Sequence, residues 1–149
     1  MPGLVQDATN NDLTYRVIGA AMAVHNRLGQ GYKEEVYERA LAAELREREI
    51  PCETQYRVDV QYEGAIVAVF FLDLFVERTV VVEVKAFAHQ LTDDERAQGI
   101  NYLKASQAPV GLLLNFGRRK LQYRRIVPGS AGESGLPERL GRDNVRRGG

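Results

Sequence analysis

Two spacings of apolar residues divide the chain. Through its first third they recur every three or four positions: Leu13, Val17, Ala21, Val24 and Leu28 form one stripe, and Val36, Tyr37, Ala40, Leu41 and Leu45 form another. That is the period of helices burying one face. Asn11 or Asp12 can cap the first helix, Gly29-Gln30-Gly31 ends it, and Pro51 marks the exit from the second, expected over roughly residues 33–47. Beyond Pro51 the pattern changes to that of strands, expected at 53–62, 65–76 and 79–86, with turns at Glu63-Gly64 and near Glu77-Arg78. These three form an antiparallel meander. Thr92-x-x-Glu95 is a capping box, and Asp93 and Asp94 suit the positive end of a helix dipole, which predicts a helix over 93–105. After Pro109, residues 110–115 read as a buried strand, 116–119 as a turn and 120–127 as a final strand of alternating character. The expected architecture is α/β in the order ααβββαββ, with a mixed sheet of about five strands flanked by helices.

Three charges break the apolar runs. Asp73 stands within Phe70-Phe71-Leu72-Asp73-Leu74-Phe75, and Glu83 and Lys85 within Val80-Val81-Val82-Glu83-Val84-Lys85. Burying an unpaired carboxylate or ammonium costs several kcal/mol or more, so such charges persist where they are paired, metal-bound or functional. Strand alternation puts Glu83 and Lys85 on one face, about 7 Å apart. Asp73 joins them across the hairpin only if its number and its partner's sum to an even value. An odd loop such as Glu77-Arg78-Thr79, or a bulge, would do this; a two-residue turn would pair Asp73 with Val82 and turn it away. If the three converge, two carboxylates can hold a hard cation, Mg²⁺ or Mn²⁺, beside an ammonium that orients water or stabilises charge on a phosphate. The other reading is a salt bridge on the solvent-facing side of a half-covered sheet.

A length of 149 residues, 44% of them hydrophobic and 27% charged, fits one globular domain, expected over residues 11–127. Residues 1–10 read as a tail, and 128–149, rich in Gly, Ser, Arg and Glu, as a disordered one. No apolar stretch approaches the roughly 18 residues of a membrane span, and the N-terminus lacks the marks of a secretion signal, so a cytoplasmic location is expected. The single Cys52 excludes an intrachain disulfide and a cysteine zinc site, leaving oxygen ligands for any metal. Twenty basic residues balance twenty acidic ones, so no global positive field announces a nucleic-acid partner. Locally, Arg118, Arg119, Lys120, Arg124 and Arg125 could contact phosphates, with Tyr123 available for stacking, or could blunt an edge strand.

The Asp73…Glu83-Val84-Lys85 pattern, within the expected element order, resembles the PD-(D/E)XK nuclease superfamily. Gly31-Tyr32-Lys33-Glu34-Glu35-Val36-Tyr37 is similar to the motif naming the GxxExxY family within it. Gln98-x-x-x-Tyr102 and Gly111-Leu112-Leu113-Leu114-Asn115-Phe116-Gly117 resemble further motifs of that family. The aspartate lacks the preceding proline, since Leu72 stands there. The resemblance implies that Asp73 and Glu83 are metal ligands, that the Val84 carbonyl is a third, and that Lys85 is the catalytic lysine. It favours Glu34 as a third carboxylate of the metal site, although a carboxylate in a first helical turn is stabilised there regardless of function. Gln98 and Tyr102 share a helix face and can position Lys85 or substrate, with Asn101 and Asn115 weaker candidates and Tyr37 a packing residue at the pocket edge. His25 and His89 read as structural or surface residues.

The implied function is metal-dependent hydrolysis of phosphodiester bonds in nucleic acid, DNA favoured over RNA. The alternative is a noncatalytic nucleic-acid-binding or accessory subunit that keeps the fold; hydrolysis of a small phosphate compound is a third reading. Either a homodimer or a partner protein would suit so small a chain.

Overall fold

The computed structural model describes residues 9–129. Its elements are α1 (Asn11–Leu28), α2 (Glu34–Glu47), β1 (Cys52–Tyr62), β2 (Ala65–Val76), β3 (Val80–Lys85), α3 (Asp93–Ser106), β4 (Val110–Asn115) and β5 (Gln122–Ile126). The order is the expected ααβββαββ. The five strands lie in sequence order across one sheet, with β3 and β4 parallel and every other neighbouring pair antiparallel. A parallel pair needs a long crossover, and α3 supplies it. The tails expected at 1–10 and 128–149 fall almost wholly outside the described residues.

Alternation along β3 separates the two layers of the core. Val80, Val82 and Val84 pack with Leu112 and Leu114 against α1 and α2, whereas Val81 packs with Leu103 and Ile126 beneath α3. Glu83 and Lys85 therefore lie on the α3 side. The capping box of α3 forms as expected: the Asp94 N–H donates to the Thr92 hydroxyl at 3.2 Å and the Thr92 N–H to Glu95 Oε1 at 2.6 Å. Helix α1 begins at Asn11, the first of its two expected caps, so the N-cap position falls one residue earlier on Asn10, left-handed at φ 61° and making no side-chain capping bond.

Two backbone features place the charged residues. The first is the β2–β3 hairpin, where Val76 pairs with Val80 across the odd loop Glu77-Arg78-Thr79. Glu77 and Arg78 both have positive φ, 51° and 50°, which matches the twist of a hairpin turn, and the Thr79 N–H closes the turn on the Val76 carbonyl at 2.9 Å. The second is a kink running through β1 and β2 together. Leu72 is buried on the α3 side, yet Leu74 and Val76 are buried on the α1–α2 side, which uninterrupted alternation forbids. Likewise Tyr56 and Val58 face α3, whereas Cys52 packs on the other layer. Between them sits Gln55, left-handed at φ 48°, and Gln55–Asp73 is the rung missing between Thr54↔Leu74 and Tyr56↔Leu72. Each strand spends one residue at the kink, so the register is the same on both sides of it.

Candidate active site

Asp73 occupies the break. The β2–β3 ladder ends at Leu74↔Val82, and beyond it side chains take over the bonding. Val84 donates its N–H to Asp73 Oδ2 at 2.8 Å, and Asp73 donates its own N–H to Glu83 Oε2 at 3.4 Å. Within a strand the N–H and C=O of one residue point to the same side, so the Val84 carbonyl opens on the gap that holds the Asp73 carboxylate. Lys85, the next residue, points its carbonyl the other way, where it accepts the Phe116 N–H at 2.8 Å. The odd loop thus sets Asp73 opposite Glu83, with Lys85 on the same face as Glu83.

Glu83 is 5% exposed. Burial pushes its carboxyl up to about 9, and the nearby Asp73 charge acts in the same direction; the Asp73 N–H and the Lys85 charge oppose them. Burial thus favours the protonated form of Glu83. Tyr102 faces the pair from α3: its ring packs on Phe70 with centroids 5.1 Å apart, and burial followed by the Glu83 and Asp73 charges raises its phenol. Gln98, one turn earlier, is exposed and its amide bonds no described residue; Asn101 is exposed as well.

On helix α2, Glu34 and Glu38 are placed differently. Glu34 is exposed in the first turn, and its carboxylate bonds no described residue. Glu38, one turn later, is half-buried and accepts the Gln55 side-chain N–H at 2.8 Å. Burial raises its pKa, the Gln55 bond opposes that rise, and the Asp73 charge adds to it, so Glu38 lies within electrostatic reach of Asp73. Its i+4 spacing from Glu34 was the available signal.

The glycine-rich end of β4 fixes the chain after Lys85. Asn115 is fully buried; its Oδ1 accepts the N–H groups of Phe87 at 2.8 Å and Gly117 at 3.1 Å, and its Nδ2 donates to the His89 carbonyl at 3.0 Å. A Cβ on Gly117 would lie 2.4 Å from the Ala86 carbonyl carbon and the Phe87 oxygen. Asn115 thus braces the loop rather than presenting a free amide to substrate. Tyr37 is also consumed internally: fully buried and stacked on Phe116 at 4.8 Å, it donates its hydroxyl to the Gly29 carbonyl at 2.5 Å and accepts the Tyr32 N–H at 3.1 Å. His25 bonds the Arg118 carbonyl at 2.9 Å, and His89 stacks on Phe87 at 4.5 Å.

The five basic residues do not share one face. Arg118 donates to the Ala88 carbonyl at 3.2 Å, Arg119 and Lys120 are exposed in the loop before β5, and Arg124 and Arg125 alternate to opposite sides of that strand. Arg125 bonds the Thr9 carbonyl.

Among the described residues, no group of three or more His, Cys, Asp or Glu could hold a metal ion. The donor set is two opposed carboxylates and a strand carbonyl. That fits a cation such as Mg²⁺, which keeps several waters and needs only one or two carboxylates, and it does not fit a closed all-protein cage. No helix among the described residues is long and apolar enough to cross a membrane.

No curated protein matches the chain. The crystal structure of SSO0001 aligns over 63% of this chain and 49% of its own, with a TM-score of 0.50 and 16% sequence identity. The chain thus spans about half the length of that structure, and the likeness is one of fold. The sequence model of the PD-(D/E)XK nuclease superfamily matches residues 11–126, from the first turn of α1 to the last residue of β5. With Asp73 set against Glu83, and Lys85 beside Glu83 on a five-stranded mixed sheet, the chain belongs to the PD-(D/E)XK nuclease superfamily.

Proposed function

We propose that this chain engages nucleic acid through its nuclease fold, and that without a bound cation it acts as a binding or accessory module. The observation that carries this reading is the state of the acidic pair. Asp73 and Glu83 face each other, burial and the Asp73 charge favour the protonated form of Glu83, and among the described residues no third His, Cys, Asp or Glu joins them to hold a metal ion. Each acid already accepts a backbone N–H, Asp73 from Val84 and Glu83 from Asp73.

A second reading, Mg²⁺- or Mn²⁺-dependent hydrolysis with DNA favoured over RNA, is supported by a specific observation: Asp73, Glu83 and the Val84 carbonyl converge on one gap beside Lys85. A cation held there would polarise a phosphodiester and sharpen a water nucleophile. Lys85 would orient that water and offset charge on the phosphate. Tyr102 borders the pair, and Glu38 lies within electrostatic reach of Asp73 from α2, the helix on which the sequence pattern singled out Glu34. Membership of the GxxExxY family belongs with either reading: Gly31, at φ 118°, and Tyr37 shape the α1–α2 turn, which accounts for two of the motif's three named positions. A cytoplasmic location and a self-associated form fit both readings.

Calorimetric titration of Mg²⁺ and Mn²⁺ into wild type and Glu83→Ala, beside plasmid and single-strand cleavage assays in the same buffer, separates them. Cation binding lost in the variant, together with cation-dependent cleavage by wild type, establishes hydrolysis. Salt-dependent nucleic-acid binding without turnover establishes the binding module.

A further inference from the structure

We infer that Gln55 is the positioning residue of the acidic pair, acting through its left-handed backbone, and that Glu38 holds it in that conformation. The inference rests on reading Asp73 and Glu83 as the functional pair. Gln55 stands mid-strand rather than in a turn, and its φ of 48° is sparsely populated by residues other than glycine and asparagine. Such a conformation persists where neighbours compensate for it. Here the compensation is the 2.8 Å bond from the Gln55 amide to Glu38, which crosses from β1 to α2.

Both hydrogen bonds of the pair follow from the kink. In a regular β1–β2 ladder the backbone of Asp73 would pair with Gln55; that rung is missing, and the freed Asp73 N–H turns to Glu83. In a regular β2–β3 ladder Val84 would donate to Leu72, but Leu72 has turned to the other layer and the Asp73 carboxylate takes its place. A straight β1 would restore both rungs and withdraw Asp73 from the gap. Gln55 thus acts on the site through Asp73 rather than by touching a substrate.

The test is amide hydrogen exchange at Val84, measured by NMR on the full chain, with Mn²⁺ affinity measured calorimetrically in the same samples. Gln55→Gly tolerates positive φ and retains the protection of Val84, whereas Gln55→Val resists it and exchanges Val84 about tenfold faster than Gln55→Gly. Gln55→Ala, a milder change, falls between them and serves if the valine variant does not fold. Glu38→Ala also speeds Val84 exchange; Glu38→Gln, which keeps an acceptor, does not, and adding Gln55→Gly to Glu38→Ala restores protection. Mn²⁺ affinity falls about tenfold from Gln55→Gly to Gln55→Val, by the same backbone argument. Equal Val84 protection in the glycine and valine variants overturns the inference, as does faster exchange with unchanged Mn²⁺ affinity. If wild type binds no Mn²⁺ while Val84 exchange follows the predicted order, the positioning role stands and the hydrolytic reading falls.

Discussion

Val84 gives its backbone N–H to the carboxylate of Asp73, 2.8 Å away, where a continued β2–β3 ladder would offer the carbonyl of Leu72. The acid is therefore part of the sheet's hydrogen bonding as well as the partner of Glu83. Removing it leaves a buried strand donor unsatisfied, which costs about 1–3 kcal/mol. Asp73→Ala is expected to lose that much in urea unfolding at pH 7. Asp73→Asn keeps an oxygen for Val84 and should lose less than half as much. If hydrolysis is real, both variants abolish it, so stability and activity part company in the asparagine protein.

The raised pKa of Glu83 makes stability depend on pH in a defined direction. A carboxyl that titrates near 4.5 when unfolded and at about 9 when folded keeps a proton in the native state that the unfolded chain releases. Its contribution is fully present below pH 4.5 and is progressively lost as pH rises toward 9. Glu83→Gln cannot titrate, so the stability of wild type relative to this variant should decline steadily between pH 5 and pH 9, on the order of several kcal/mol across the window. Saturating Mg²⁺ should flatten the decline if the ion occupies the pair. A wild-type curve parallel to that of Glu83→Gln would mean that Glu83 ionises freely.

The parts of this arrangement that were legible in sequence are those governed by counting. The even sum of Asp73 and Glu83 required an odd loop, and Glu77-Arg78-Thr79 is that loop; the capping box at Thr92 followed from local pattern in the same way. The kink was not legible. Gln55 is neither glycine nor asparagine and lies in an unbroken strand pattern, so its positive φ comes from tertiary contacts that no local rule anticipates. At the same kink Gln55 bonds Glu38 in the second turn of α2, a contact that the sequence pattern, which singled out Glu34, did not indicate. The crowding of Arg118, Arg119, Lys120, Arg124 and Arg125 in sequence dissolved for a simpler reason: a loop followed by an alternating strand sends neighbours to different faces.

Asn115 and Gly117 should behave as a structural unit. Asn115→Ala strips the acceptor from the Phe87 and Gly117 N–H groups, a loss of about 2–6 kcal/mol if each buried donor costs what isolated examples do. Gly117→Ala would force a methyl to 2.4 Å from the Ala86 and Phe87 backbone, which has no flexible end to yield. Thermal unfolding is expected to rank both variants well below wild type, with the Phe87 amide exchanging faster in each. A well-folded Gly117→Ala protein with unchanged Phe87 protection would contradict the close approach of these segments.

Lys85 separates the two readings of function most directly. It forms no ion pair with a described residue, yet its charge opposes the rise of the Glu83 pKa, so it senses the acid without being anchored by it. Lys85 is half-buried, so Lys85→Ala should cost about 1 kcal/mol of denaturant stability, the usual size for a single substitution that breaks no ion pair. A lysine that positions water and offsets phosphate charge is worth roughly 10²–10⁴ in rate, so cleavage in Mg²⁺ should fall by that factor while duplex affinity changes little. If instead duplex affinity drops and its salt slope shrinks by about one charge, with no turnover in either protein, Lys85 is a phosphate contact and the fold serves binding.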